Sequence, residues 1–158
     1  MTKFRLAAVA AISALAITGC GGGDDSSNKT LSYSATGDEM NKICNEFNPQ
    51  IKSIGAKLTG DPAKDAPVWD ELIAKVQEGT DKFKALDVPG ELKSDFDKFN
   101  SINDQQIEAA KQAQAAAKAG DKAAYVQVVK GFQKSNLDEQ SDLEASKLGA
   151  ADCIGDNS

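Results

Sequence analysis

From about residue 38 onward, apolar residues recur at steps of three and four, the spacing of helices that each bury one face. Met40, Cys44, Phe47, Ile51, Ile54 and Leu58 form the first stripe and predict a helix over residues 38–58. Pro49 removes a backbone donor from it, so a kink or a restart is expected, with Asn48 as cap and Pro49 in the first turn. Thr59-Gly60-Asp61-Pro62 stops one helix and starts the next, Asp61 serving as N-cap and Pro62 as first helical residue, although Asp65 before Pro67 offers a later start. The second stripe is Trp69, Leu72, Ile73, Val76, Phe83 and Leu86, with Thr80 filling the remaining turn. Asp87-Val88-Pro89-Gly90 then turns the chain. The third stripe is Leu92, Phe96, Phe99, Ile102 or Asn103, Gln106, Ala110, Ala113 and Ala117, in a helix ending at Gly120. Asp121 caps a fourth helix whose stripe is less clean: Tyr125, Val129, Phe132, Asn136, Leu143 and Lys147, closed by Gly149.

No useful length of this region alternates with period two, and the connections are short, so sequential helices are expected to run antiparallel. The fold class that follows is all-α, an antiparallel up-down four-helix bundle over residues 38–158. Trp69, Tyr125 and the phenylalanines stand at helical spacing and are assigned to the core rather than to a ligand pocket. The alanines between Ala109 and Ala119 favour helix and let neighbouring helices approach closely.

Ahead of the bundle the pattern changes. Lys3 and Arg5 precede an apolar run from Leu6 to Ile17 that is short of the roughly 20 residues a membrane-spanning helix needs. Ile17-Thr18-Gly19-Cys20 follows and resembles the lipobox of bacterial lipoproteins. Residues 1–19 are therefore expected to be a signal peptide, and Cys20 the lipidated first residue of the mature chain. An ordinary signal peptide cut near the same place is the alternative. Residues 20–37 are rich in Gly, Ser and Asp and are expected to act as a flexible tether.

Lipidation of Cys20 leaves two of the three cysteines, Cys44 and Cys153. An even number of antiparallel helices returns the chain end toward the start of the first helix, within the roughly 7 Å between Cα atoms that a disulfide needs. One disulfide joining the first helix to the C-terminal end is expected, at the membrane-proximal end; two free thiols or a metal pair are the alternatives.

The chain carries a formal charge of −6, and loss of Lys3 and Arg5 with the signal takes it to −8, without arginine or histidine. Such a domain is poorly suited to phosphate backbones or anionic headgroups, so no nucleic-acid partner is expected. Lack of histidine removes Ser-His and Cys-His nucleophile pairs and imidazole metal ligation. Carboxylate pairs at helical spacing, Glu91 with Asp95, Asp104 with Glu108 and Asp138 with Asp142, suit a hard cation, but interleaved Lys93, Lys98 and Lys134 favour a solvated helix face. Neither an enzyme nor a cofactor site is expected, and no catalytic, cofactor-binding or metal residue is assigned.

The helical hairpins, Cys44, the turns Val88-Pro89-Gly90-Glu91-Leu92 and Gly120-Asp121, and the ending Leu148-Gly149-Ala150-Ala151-Asp152-Cys153 together resemble small helical lipoproteins common in actinobacteria. The likeness spans most of residues 38–155 and departs at Pro49, where an uninterrupted first helix is the group's pattern. It implies a helical envelope domain and brings no activity with it. The expected role is a non-catalytic binding or interaction module at the extracytoplasmic face of the cell membrane, meeting an envelope protein or a small ligand. The alternative is a solute- or cation-binding lipoprotein serving a transporter or sensor.

Overall fold

The computed structural model describes residues 30–155. The signal peptide, Cys20 and most of the expected tether lie outside the described residues. Five α-helices occur among those described: α1 Tyr33–Gly55, α2 Pro62–Lys84, α3 Lys93–Lys118, α4 Lys122–Lys134 and α5 Leu137–Lys147. A single 3-10 turn, Ala151–Cys153, follows, and no strand occurs among the described residues.

Three of the helix starts rest on side-chain caps, which satisfy backbone donors that the first turn leaves unpaired. The Ser32 hydroxyl accepts from the Ala35 N–H at 3.3 Å, Asp61 accepts from Ala63 at 3.1 Å, and Asp121 accepts from both Ala123 and Ala124 at 3.0 Å. Gly149 ends α5 with a φ of +74°, and the Ala150 N–H reaches back to the Ala145 carbonyl at 2.9 Å. That bond is the long one of a glycine-terminated helix end.

α3 is the central element and packs against α2, α4 and α5, whereas α1 packs against α2 and the 3-10 turn. Two apolar clusters fill the interior. The larger gathers Met40, Phe47, Phe83, Phe96, Phe99 and Leu148, with the Phe83 and Phe99 rings edge to face at 5.1 Å. The second packs Ala110, Ala113 and Ala117 of α3 against Trp69 and Tyr125. Small alanine side chains let α3 approach the two large rings closely, so one face of the alanine-rich stretch is core.

The structure corrects several expectations. α1 begins at Tyr33 rather than residue 38, and the Leu31 N–H donates to the Asp87 carbonyl at 2.8 Å, so residues 30–37 belong to the folded domain and not to the tether. α1 also continues through Pro49, and Asn48 caps nothing; its amide donates to the Asp152 carbonyl at 3.3 Å. The expected fourth helix is two helices, broken at Ser135–Asn136. There the Ser135 hydroxyl takes the Phe132 carbonyl at 2.6 Å and the backbone of Ser135 becomes extended, a local bond that competes with the helical ladder. The break resets the phase of the stripe. Ala145 and Leu148 become the buried residues of the last segment, Leu143 is 56% exposed, and Phe132 is only half-buried.

Candidate functional site

Beyond Gly149 the chain turns back and lies along α1, and this return builds one wall of a groove. The Tyr33 hydroxyl donates to the Lys147 carbonyl at 2.8 Å, and the α-carbon of Gly37 faces the Gly149 carbonyl so closely that a methyl group there would come within 2.6 Å of the oxygen. Further along, Asn41 accepts from the Asp152 N–H at 2.8 Å and the Asn45 amide donates to the Asp152 carboxylate at 2.7 Å. Cys44 and Cys153 form the expected disulfide, with an S–S distance of 2.06 Å and a Cα separation of 5.1 Å. Its location differs from expectation. Cys44 lies midway along α1 rather than at its start, so the bond clasps the returning segment to the middle of the molecule.

Between this clasped segment, α1, α2, α3 and α5 lies an open groove of about 880 Å³. It exists because the chain between Leu148 and Gly155, rather than α5 itself, covers α1. Ile51 and Val76 line it, as do the edges of the largely buried Phe47, Phe83 and Phe99, and Gly79 lets the α2 backbone pack directly against the Phe47 ring. The polar part of the lining includes Asp138 and Asp142 of α5 and Asp152 of the returning segment, with Lys52 opposite them in charge.

Four of the six carboxylates singled out as pairs in the sequence have separate partners. Asp95 lies 3.4 Å from Lys98 and 3.9 Å from Lys147, and Asp104 pairs with Lys84 at 2.6 Å. Asp138 accepts from the Gln106 amide at 2.8 Å, while Asp142 accepts from the Gly155 N–H at 2.9 Å. No group of three or more His, Cys, Asp or Glu arranged for a metal ion occurs among the described residues. Cys20, the lipidation candidate, lies outside them.

One buried polar network was missed by pattern reading. Asp65, considered only as a helix start, is 0% exposed and accepts four hydrogen bonds. Its donors are the Thr59 N–H at 2.8 Å, the Thr59 hydroxyl at 2.9 Å, the Gly60 N–H at 2.8 Å and the Tyr125 hydroxyl at 2.7 Å. Tyr125 in turn accepts from the Trp69 indole at 3.0 Å. Burial pushes the Asp65 carboxyl up, but these donors outweigh it and hold the group below the ordinary carboxylate value. Burial and then the Asp65 carboxylate push the Tyr125 phenol above its ordinary value. Each Asp65 oxygen accepts two of these bonds, so the cluster ties the α1–α2 connection to α4. The only local hint was a second aspartate four residues after the capping Asp61, because the Tyr125 partner is 60 residues away.

Comparison with known proteins adds no relative: no family model, no curated protein and no solved structure matches this chain.

Proposed function

We propose that the protein is a lipid-anchored, non-catalytic binding module of the cell envelope, held at the extracytoplasmic face of the cell membrane through Cys20. The observation that carries this reading is the division of its three cysteines. Cys44 and Cys153 are joined to each other, which leaves Cys20, alone in the lipobox-like Ile17-Thr18-Gly19-Cys20, for a separate use. A disulfide in a small helical domain suits an exported chain in an oxidising compartment. Among the described residues no helix is long and apolar enough to cross a membrane, and in this reading attachment comes from acyl chains on Cys20. The likeness to small helical lipoproteins supports the same placement, and a charge of −8 after signal loss disfavours nucleic acid as a partner.

For the bundle we infer an up-down antiparallel order in which α4 and α5 together form the fourth member. The short turns after α2 and α3 support it, as do the contacts of Tyr33 with the Lys147 carbonyl and of Gly37 with Gly149, which bring the end of α5 to the start of α1. Within the binding role, the groove of about 880 Å³ favours the second reading, a solute-binding lipoprotein serving a transporter or sensor, over a flat protein-docking face.

The anchoring is tested by feeding cells a clickable fatty acid while they express the full chain or its Cys20→Ala variant. Wild-type chain is expected to take up label and sediment with membranes, and the variant to do neither. A variant that labels and sediments like wild type would falsify the anchoring.

A further inference from the structure

We propose that the groove binds a small uncharged solute that presents a hydrogen-bond donor beside an acceptor, as a vicinal diol or a carboxamide does, and that it docks at Thr80 and Asn103. This rests on the reading of the protein as a solute-binding module and names its ligand class. Thr80 of α2 is 3% exposed and Asn103 of α3 is 8% exposed, yet neither side chain has a hydrogen-bond partner among the described residues. Both line the groove. Two other polar atoms without a partner, Asn100 Oδ1 and Glu144 Oε2, are sealed and belong to residues outside its lining, whereas the free groups of Thr80 and Asn103 open onto it.

A buried polar group without a partner costs stability. Where such a group serves the fold it is satisfied, as Asp65 is by four donors. Thr80 and Asn103 instead interrupt the apolar stripes of α2 and α3 and give the core no bond in return. Gln106, the other polar residue at a stripe position of these helices, lines the same groove and donates to Asp138 at 2.8 Å. All three interruptions therefore fall at one place, in a groove whose volume of about 880 Å³ lies within the roughly 300–1,000 Å³ of small-ligand sites.

The chemistry of the free groups selects the ligand. A hydroxyl both donates and accepts, and a carboxamide carries donors and an acceptor side by side, so a solute with donor and acceptor on neighbouring atoms meets both. An ion would shed water there without meeting an opposite charge. The charged residues Lys52, Asp138 and Asp152 of the lining are exposed, and Asp142 already accepts from the Gly155 N–H at 2.9 Å. Half-buried Ile51 and Val76, the latter one turn before Thr80 on α2, offer an apolar wall to the rest of the solute.

The test titrates the mature lipidated chain, in nanodiscs of phosphatidylcholine, with 1,2-hexanediol, hexanamide, hexanoate and hexylammonium while amide resonances are followed. The diol, the carboxamide or both are expected to shift resonances at Ile51, Val76, Thr80 and Asn103 and to bind about tenfold or more tightly than either ion. The tighter of the two neutral probes identifies the source. Thr80→Val with Asn103→Leu removes both free groups at nearly constant volume. It should weaken the neutral probes about tenfold and, because neither group has a partner in the fold, leave the urea midpoint unchanged or raise it. Thr80→Val alone should act in the same direction by a smaller factor. Ions that bind as tightly as the neutral probes, no binding of any probe, shifts confined to other surfaces, or indifference to the double substitution would each overturn the proposal. A midpoint lowered by both variants would show that these groups serve the fold and would overturn it too. Intact mass of the same sample reports the lipid on Cys20. A lipidated chain that ignores every probe therefore overturns the ligand class alone, whereas an unlipidated chain that binds the neutral probes overturns the anchoring alone.

Discussion

Asp65 is the residue whose removal has the clearest physical cost, because four donors converge on it in a place that water does not reach. Asp65→Ala would leave the buried Tyr125 hydroxyl without its acceptor, at a cost of about 1–3 kcal/mol, whereas the N–H groups of the exposed Thr59 and Gly60 turn to water. We expect a loss of about 1–3 kcal/mol in urea unfolding, and a similar loss for Tyr125→Phe because it strips one donor from Asp65 and the acceptor from Trp69. A loss under about 1 kcal/mol for Asp65→Ala would mean that the network contributes little. The pH dependence has a definite sign. Since the Asp65 carboxyl is lowered in the folded state, its contribution is present above the unfolded value near about 4 and disappears as the pH falls through the lower folded value. Tyr125 is raised, so its contribution is present below about 10 and is lost as the pH rises through the folded value. The difference in stability between wild type and Asp65→Asn should therefore shrink on acidification below about pH 4.

At the scale of elements, the returning segment is held by close backbone approach as much as by its disulfide. Gly37 and Gly149 meet with no room for a side chain, and a β-carbon on Gly37 would lie 2.6 Å from the Gly149 carbonyl oxygen and 2.9 Å from its carbon. Both obstacles are backbone, so Gly37→Ala must push the end of α5 off α1, at a cost of about 1–3 kcal/mol. Hydrogen exchange should quicken at Gly149, Ala150 and Asp152 before it does in the middle of α3; unchanged exchange in that segment would refute the contact. Nothing in a helical wheel reveals such a contact, because it joins positions 112 residues apart through atoms that every residue shares. What was legible in the sequence had a local cause: Asp61-Pro62, Asp121 and Gly149 all mark helix ends in the structure because capping is decided within four residues. The break at Ser135–Asn136 was not read, because polar residues at a stripe position look like a weak continuation of it. Continuing the old phase then misplaced Asn136, Leu143 and Lys147, all exposed. Pro49 misled in the opposite direction: a single missing donor in a helix packed along α2 and clasped at Cys44 does not end that helix. The pairing of Cys44 with Cys153 was legible and its height along α1 was not, since the latter depends on the chain doubling back after Gly149. Of the groove, the phenylalanines beneath it were read as core, as they are, while its outer wall was not read, because the returning segment has no periodicity of its own.

For the whole molecule, the position of the first described residues decides which end would face the bilayer under the proposed anchoring through Cys20. Thr30 and Leu31 are bonded to Asp87, so the start of α1 and the α2–α3 turn share one end of the domain. With the helix starting at Tyr33, a tether of the expected kind after Cys20 would be about ten residues, and if flexible it would have a typical reach of about 16–19 Å. α1, with 23 residues, carries the chain about 35 Å away from that end. If Cys20 is lipidated, the Tyr33 end therefore stays near the headgroups, while Gly60 and Asp65, just beyond the end of α1, are held well away. The groove, lined in part by Cys44, lies between these two ends. This arrangement predicts a gradient. In nanodiscs containing a small fraction of lipid with a paramagnetic headgroup, amide signals of residues 31–37 and 87–92 should broaden strongly, those around Cys44 and Ile51 weakly, and those of Gly60 and Asp65 very little. Broadening strongest at Gly60 would invert the orientation, and even broadening along α1 would mean that the short tether does not orient the domain at all.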